Sequence, residues 1–421
     1  MTFPMRPRAR PRIEQRPLRI AQVAPPIERV PPSAYGGTER IVYELTSKLV
    51  DAGHDVTVFA SGDSQVPCRL IPTSAGALRP AGIDDFKQWF ASTIDIVRAH
   101  MDEFDVVHSH LESWSIPLAR SASVPVVSTF HGRLDLPWTL HAFDSPPDGL
   151  VAISRSQASA HPNLPWTIIH NGLTLDRAPF AERPSDALCF VGRVDPEKGI
   201  VEAMEIARRT GRRLRIAAKV GTLKHQADYY TDVFKPALKK AGRNIEYLGE
   251  LEPAERDQLF ADSAATIMPG AWPEPFGLVC IESLACGTPV LARRVGGLPE
   301  IRFRSPEGTY LQWLDCRALD LKPSPFQFFL EKVPALDRAA IRNRVIDRFS
   351  AERMADRYQE LYARMVDEHA IAASRAETAS RAAETASRAE TASRAAVDDE
   401  VGARPEGRAR ASRIGTSATT A

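Results

Sequence analysis

Short apolar runs that alternate with amphipathic segments constrain the fold of this chain more than any other feature. Each run is rich in β-branched residues and ends in Gly, Pro or polar residues, as strands buried on both faces of a parallel sheet do. Residues 39–53 and 198–211, between runs, each carry an apolar helical stripe that ends at glycine. This alternation predicts a doubly wound α/β architecture. The predicted strands are 18–26, 55–63, 104–111, 124–132, 149–154, 167–172, 188–193, 214–221, 245–251, 265–270 and 288–294.

The alternation occurs twice, which predicts two domains. Residues 173–187 contain two prolines and few apolar side chains, and they separate the two series of runs. We therefore predict an N-terminal Rossmann-like domain over 17–172 and a C-terminal Rossmann-like domain over 173–369. One or two closing helices are expected within 337–365, and the last of them is expected to cross back onto the first domain. A chain of 421 residues is too long for one ordinary core, which agrees with this division.

Both ends of the chain differ from its body. Residues 1–16 are rich in Arg and Pro and lack the apolar segment of a secretory signal, so we predict a disordered basic arm. Residues 370–421 begin with a short repeat whose only apolar residue is Ala, which is typical of a solvated helix and not of a coiled coil. The net charge of +1 gives no reason to expect nucleic-acid binding. The alternative for this arm is a weak peripheral membrane contact, in which its arginines bind anionic lipid.

The strongest local signal is EPFGLVCIE, which runs from Glu274 to Glu282 directly after an apolar run. A strand, a glycine-containing loop and a helix place the N–H groups of Phe276, Gly277 and Leu278 at a helix N-terminus, where they bind anions. A carboxylate beside such a site repels phosphate and instead accepts hydrogen bonds from hydroxyl groups. The alternative is that Glu274 caps the helix and that Glu282 is a solvated surface residue.

Two other strand–helix turns carry groups that bind phosphate. Arg193 and Lys198 flank the first turn of the second domain and supply the cations that a pyrophosphate needs, unless they form surface ion pairs with neighbouring carboxylates. Gly36 and Gly37 open the first helix of the first domain and allow a ligand to approach the backbone closely. A dinucleotide-binding fingerprint is absent because no third glycine follows.

His131 stands at the end of an apolar run, where an open α/β sheet faces its ligand crevice. His108 and His110 end a neighbouring run and are placed to line the same crevice. His110 and His131 supply half of a metal site, but no carboxylate or cysteine completes it by spacing, so we predict no metal. The chain also contains no Asp-x-Asp triplet.

These segments together resemble the family-four retaining glycosyltransferases of the GT-B fold, which share a Glu, seven residues and a second Glu in a frame close to EPFGLVCIESLACGTPV. The resemblance covers roughly residues 18–300 and returns at about 333–365. It implies two Rossmann-like doubly wound domains that face a central cleft: an N-terminal acceptor domain, with His108 and His110 on the acceptor side, and a C-terminal nucleotide-sugar domain. After Ile301 it lapses: in residues 302–332 we find no strand to match the family, and two prolines interrupt the expected pattern. We expect a loop there, produced by divergence or by compensating frameshifts.

The resemblance also implies roles. Glu274 contacts the hydroxyls of the donor sugar, Glu282 contacts the nucleotide ribose, and His131 reaches the transferred sugar. Arg193 and Lys198 hold the donor diphosphate, and the leaving phosphate takes the acceptor proton in a same-face displacement. We expect neither a metal nor a cofactor, because these cations and the helix ends do a metal's electrostatic work.

The expected function is therefore transfer of a hexosyl group, with retention, from a UDP-, GDP- or ADP-sugar to a sugar, lipid-linked or small-molecule acceptor. Five scattered cysteines fit reduced thiols and a cytoplasmic location, at the inner membrane face if the arm binds lipid. Other GT-B chemistry stays open, as in a sugar-phosphate synthase or a nucleotide-sugar epimerase. So does a non-catalytic GT-B scaffold protein.

Overall fold

A computed structural model describes residues 16–33, 36–139, 141–221, 223–302, 304–305, 308–309, 311–314 and 325–402. The chain forms two compact units, residues 1–366 and 367–421. In the first unit, two parallel sheets carry helices between their strands, so the predicted doubly wound α/β class is confirmed. No helix in the described part of the chain is long and apolar enough to cross a membrane.

The first sheet has seven parallel strands in the order β3-β2-β1-β4-β5-β6-β7. The order reverses at β1, where Ile20 lies opposite Val56 on one side and Val106 on the other. A reversal of this kind opens the crevice in which doubly wound proteins bind ligands. The strands are β1 Arg19–Val23, β2 Asp55–Ser61, β3 Arg69–Ser74, β4 Val106–Ser109, β5 Val126–Phe130, β6 Leu150–Ala152 and β7 Thr167–Ile168, with helices α1 Gly37–Asp51, α2 Lys87–Ala99, α3 Ser115–Arg120 and α4 Arg155–Ala158.

The second sheet has six parallel strands in the order β10-β9-β8-β11-β12-β15, and it reverses between β8 and β11. Its strands are β8 Leu188–Arg193, β9 Leu214–Lys219, β10 Ile245–Gly249, β11 Ala265–Met268, β12 Val290–Arg293 and β15 Leu311–Leu314. Its helices are α5 Ile200–Thr210, α6 Lys224–Tyr229, α7 Lys235–Ala241, α8 Pro253–Ala261, α9 Leu278–Ala285 and α10 Leu298–Ile301; α11 Pro325–Lys332, α12 Arg338–Phe349 and α13 Ala351–Gly402 follow.

The prediction that residues 302–332 contain no strand was wrong. Leu311–Leu314 pairs in parallel with β12 as the edge strand of the second sheet, with Leu311 opposite Val290. A short antiparallel pair, β13 Arg304–Ser305 and β14 Gly308–Thr309, precedes it. Pro325 begins α11, where a missing N–H leaves no helical hydrogen bond unmade. Four residues are too few for a periodic pattern to show, which explains the error.

The chain crosses between the two sheets twice, and the crossings run side by side. The Leu173 N–H donates to the Phe349 carbonyl at 3.0 Å, and the Ala351 N–H donates to the Leu173 carbonyl at 2.9 Å. A Cβ atom at Gly172 would lie 2.3 Å from the Ser350 carbonyl oxygen, so only glycine permits this approach. After the second crossing, the start of α13 buries Tyr358, Leu361, Tyr362 and Met365 in one hydrophobic core with residues of both sheets.

The repeat continues this last helix. Residues 367–388 are exposed throughout, and an ion pair joins Glu377 to Arg381 at 2.5 Å, as expected for a solvated helix. Residues 1–15 of the predicted arm and residues 403–421 at the end of the tail lie outside the described residues.

We expect a chain that ends at Glu368 to fold with a melting temperature within about 2 °C of the full protein, because the removed residues whose burial the structure describes, 369–388, are all exposed. A matched chain that ends at Glu352 loses the buried side chains of α13 and should unfold or lose several kcal/mol of stability. Scanning calorimetry measures both. Equal losses in the two chains would show that the repeat itself stabilises the fold.

Candidate active site

A cavity of about 490 Å³ lies between the two sheets, at the carboxyl ends of their strands. The structure brings every residue predicted to act in catalysis or donor binding to it, and His110 lines it as well. The prediction that His108 lines the cleft was wrong, because its ring is buried behind that of His110. Its lining includes Gly36, Gly37, His131, Arg193, Lys198, Glu274, Phe276, Gly277, Leu278 and Glu282.

The turn after β8 positions the two predicted phosphate-binding cations. Residues Pro196–Lys198 form a short 3-10 helix, and Gly199 follows in the left-handed region at φ 72°. A Cβ atom on Gly199 would lie 2.8 Å from the Gly270 amide nitrogen, so glycine lets the loop after β11 pack here. Lys198 forms an ion pair with Glu274 from that loop. Arg193 reaches its carboxylate neighbours only at 3.9 and 4.0 Å.

A double-glycine turn holds the Glu274 loop in place. The Gly297 N–H donates to the Glu274 carbonyl at 2.7 Å. Gly296 adopts φ 57°, and a Cβ atom there would lie 2.2 Å from the same carbonyl oxygen. Glu274 does not cap α9, since the N-cap residue is Gly277, at φ 110°. The free N–H groups at the start of α9 therefore face the cavity beside Glu274.

Glu282 is buried and charged, so the alternative that it is a solvated surface residue is excluded. Its carboxylate pairs with Arg40 on α1 and, at 3.1 Å, with Arg256 on α8. Burial opposes ionisation, but the two arginines outweigh it and hold the pKa of Glu282 below its ordinary value. Sequence reasoning missed both arginines. Arg40 follows the glycine pair by three residues, and this position in the first turn of the helix could have identified it as a site residue. Nothing in the sequence distinguishes Arg256 in this way.

The histidines of the first sheet belong to one buried chain of hydrogen bonds. His131 Nε2 lies 2.9 Å from His110 Nδ1, and His110 Nε2 lies 3.0 Å from the side-chain oxygen Oε1 of Gln22. The side-chain nitrogen Nε2 of Gln22 donates to the Tyr362 hydroxyl at 3.0 Å, and that hydroxyl lies 2.6 Å from His108 Nδ1. The chain continues from His108 through Thr129 to Tyr358, which lies on α13 like Tyr362.

The orientation of Gln22 sets the direction of this chain. Its carbonyl oxygen accepts the His110 Nε2 proton, so His110 Nδ1 is an acceptor and His131 Nε2 is the donor. His131 Nδ1 is then left without a proton. Burial lowers the pKa of His131 to about 4 and lowers the pKa of His108 and His110 as well, so all three rings are neutral at pH 7. Among the described residues, no group of three His, Cys, Asp or Glu is arranged to hold a metal ion.

Two carboxyl groups in the cleft had no predicted role. Glu39, in the first turn of α1, and Glu112, directly after β4, both line the cavity. Burial raises the pKa of each to about 7, although backbone N–H groups act in the opposite direction. The Glu112 carboxyl accepts the N–H groups of His131 and Gly132 at 2.8 and 3.0 Å. Nothing in the local sequence distinguishes Glu112 from a surface glutamate.

Glu300 joins the two sheets at one side of the cleft. Its carboxylate accepts the N–H groups of Arg155 and Ser156 at 3.1 and 2.9 Å, and it lies 2.9 Å from His170 Nε2. Burial opposes ionisation, but His170 and the two N–H groups together hold the pKa of Glu300 below its ordinary value. A glutamate of the second domain thus binds the start of α4 in the first.

The sequence matches two family models in succession: Glycosyltransferase Family 4 over residues 35–177 and Glycosyl transferases group 1 over residues 176–302. It is 31% identical to a glycogen synthase of Mycobacterium tuberculosis over 337 residues, which covers 66% of this chain and 79% of the relative. It is 28% identical to a D-inositol 3-phosphate glycosyltransferase of Frankia alni over 341 residues, which covers 65% of this chain and 81% of that protein.

Solved structures share the fold. AviGT4, a glycosyltransferase involved in avilamycin A biosynthesis, superimposes with a TM-score of 0.64 at 24% identity, covering 83% of this chain and 98% of the other. Anabaena HepE in complex with UDP-glucose superimposes with a TM-score of 0.61 at 15% identity, covering 82% of this chain and 99% of the other. The predicted GT-B arrangement is therefore confirmed.

We expect Tyr362→Phe to lower the free energy of unfolding by about 1–3 kcal/mol, because Gln22 and His108 lose a buried partner. Tyr43→Phe is the matched control: in the described part of the chain its hydroxyl has no hydrogen bond, so a change below about 0.5 kcal/mol is expected. Urea unfolding measures both. Equal effects would mean that the chain of hydrogen bonds adds nothing to stability.

Proposed function

The chain belongs to the GT-B glycosyltransferases built from Glycosyltransferase Family 4 and group 1 halves, and we propose that it transfers a hexosyl group from a nucleotide sugar to an acceptor hydroxyl with retained configuration. One observation carries the proposal. Two glutamates in a single cleft, Glu274 and Glu282, are each paired with cations, and Lys198, the partner of Glu274, faces the cavity together with Arg193, where both can engage a donor diphosphate.

The donor diphosphate binds at the second domain in this proposal. Lys198 and Arg193 face the cavity beside the N-terminus of α9, which adds the positive end of a helix dipole. Arg193 has only distant carboxylate neighbours, so its charge is available to an anion. These groups also stabilise the charge that builds on the departing diphosphate. Charge compensation of this kind, together with the missing Asp-x-Asp triplet, is why we propose that no metal is needed.

The glutamates bind hydroxyl groups of the donor. A diphosphate that attracts Lys198 frees Glu274 to accept hydrogen bonds from the sugar hydroxyls. Glu282 is held ionised by its arginines and accepts hydrogen bonds from the ribose. His131, with Nδ1 unprotonated, accepts a further hydrogen bond from the transferred sugar.

The family resemblance is the basis for proposing a same-face course. In this course the bond between the anomeric carbon and the phosphate oxygen breaks, the acceptor oxygen bonds to the same face of that carbon, and the leaving phosphate oxygen takes the acceptor proton. Free thiols at Cys68, Cys189, Cys280 and Cys286 are the basis for proposing a cytoplasmic location.

Melting curves with UDP-, GDP-, ADP- and dTDP-sugars test this function. One donor is expected to raise the melting temperature as its concentration rises, equally in EDTA and in Mg²⁺. NMR of the product then gives its anomeric configuration. If no nucleotide sugar stabilises the protein, the scaffold alternative holds. Conversion of the sugar nucleotide without an acceptor would indicate an epimerase, and activity that only Mn²⁺ restores would refute metal independence.

Substitution of Glu282 and substitution of Glu274 should affect different properties: nucleotide binding for Glu282 and turnover for Glu274. Glu282→Gln is expected to weaken binding of the free nucleoside diphosphate by about tenfold, because a charged acceptor of ribose hydroxyls is lost. Glu274→Gln should leave that binding within about twofold and lower kcat, because it removes contacts to the sugar only. Glu205→Gln, which changes an exposed ion pair on α5, is the control. Calorimetry and initial rates decide, and equal losses of nucleotide affinity would contradict the assignment.

A further inference from the structure

The backbone at Glu112 is unusual. Its φ is 52°, and in the described part of the chain no other residue except glycine has a positive φ. A glutamate in this region costs about 1–3 kcal/mol, so its surroundings must hold it there. They do so through the two N–H groups of His131 and Gly132, which bind the carboxyl oxygen Oε1. The loops after β4 and β5 are thereby tied together at the wall of the cleft.

The second carboxyl oxygen of Glu112 is left for a ligand. Among the described residues, nothing donates a hydrogen bond to Oε2. A Cβ atom built at Gly132 would lie 3.5 Å from this oxygen, so a larger side chain there would begin to cover it. The nearby rings of His110 and His131 are neutral and give Glu112 no counter-charge. A desolvated carboxyl group with one free oxygen is suited to bind a hydroxyl group.

An aromatic side chain lines the same cavity as Glu112. It is Phe90 of α2, which is half-buried. Its ring stacks on Trp114, the last residue of the 3-10 helix that Glu112 begins, with centroids 6.0 Å apart at 21°. A cavity that offers both a carboxyl group and an aromatic ring is suited to a ligand that has hydroxyl groups on its rim and an apolar face, as a sugar ring has.

The charges on this wall disfavour a phosphorylated acceptor. Among the described residues of the first domain, the arginines that line the cavity are Arg40 and Arg79. Arg40 already pairs with Glu282, and Arg79 pairs with Glu28 at 2.7 Å. Glu112 itself would repel a phosphate placed beside it.

We propose that the free oxygen of Glu112 binds a hydroxyl group of the acceptor, and that the acceptor is a neutral sugar or polyol ring that lies against Phe90. This inference rests on the proposed function, since an acceptor exists only if the chain transfers a sugar.

The test uses the full chain and the donor found by the melting curves. Initial rates of nucleoside diphosphate release are measured with maltose, methyl α-D-glucopyranoside and myo-inositol, and with glucose 6-phosphate and inositol 1-phosphate. We expect a neutral acceptor to be preferred. Glu112→Gln keeps the size of the side chain and should raise the acceptor KM by about 10- to 100-fold, while donor affinity by calorimetry stays within about twofold. Glu103→Gln, at an exposed ion pair of the same domain, is the matched control.

Phe90→Leu provides an independent measurement, because it removes the ring and does not alter the Glu112 side chain. It should also raise the acceptor KM without changing donor affinity, and it carries the test if Glu112→Gln does not fold. An unchanged acceptor KM in these variants, a loss of donor affinity in Glu112→Gln, or a preference for the phosphorylated acceptors would overturn the inference. If the wild-type protein neither binds nor hydrolyses any nucleotide sugar, the proposed function fails instead.

Discussion

The buried carboxylate of Glu282 needs a counter-charge, and much of the cleft follows from how that need is met. Removing one partner from a buried ion pair costs about 3–5 kcal/mol. One of its two arginines, Arg256, comes from the same domain, but Arg40 comes from the first helix of the other. The ion pair between Arg40 and Glu282 therefore helps to keep Glu282 ionised and also joins the two domains across the cavity. Glu300 acts similarly on α4, so two glutamates of the second domain hold the first.

Helix α13 stabilises the opposite wall of the cavity, which is formed by the first sheet. Its first turns return to the first sheet, where Tyr362 links Gln22 to His108 and Tyr358 ends a buried chain of hydrogen bonds that begins at His131. Each polar group in such a chain must be satisfied, because an unpaired one is costly in a dry interior. The helix therefore does more than cover apolar strands. It gives each histidine ring a defined partner, and through Gln22 it determines which nitrogen of His131 faces the cleft without a proton.

Sequence reasoning failed where the signal was short or distant. The edge strand Leu311–Leu314 is four residues long, and its place is decided by pairing with β12 and not by any periodicity of its own. Strand β3 and helix α2 were likewise not predicted. In the cleft, Arg256 and Glu112 carry no local motif. Their importance depends on what lies across the cavity: a carboxylate on another helix for Arg256, and two backbone N–H groups on another loop for Glu112.

The sequence by itself determined the alternation of strands and helices, the restart that makes two sheets, and the turns that carry Gly36, Arg193, Lys198 and Glu274. These features are local, because period, glycine placement and strand–helix order are set by neighbouring residues. Only the tertiary structure decided which charges pair, which histidine nitrogen keeps its proton, and which carboxyl groups lose water. Those properties arise from side chains far apart in sequence, such as Gln22 and Tyr362, which meet only when the last helix packs on the first sheet.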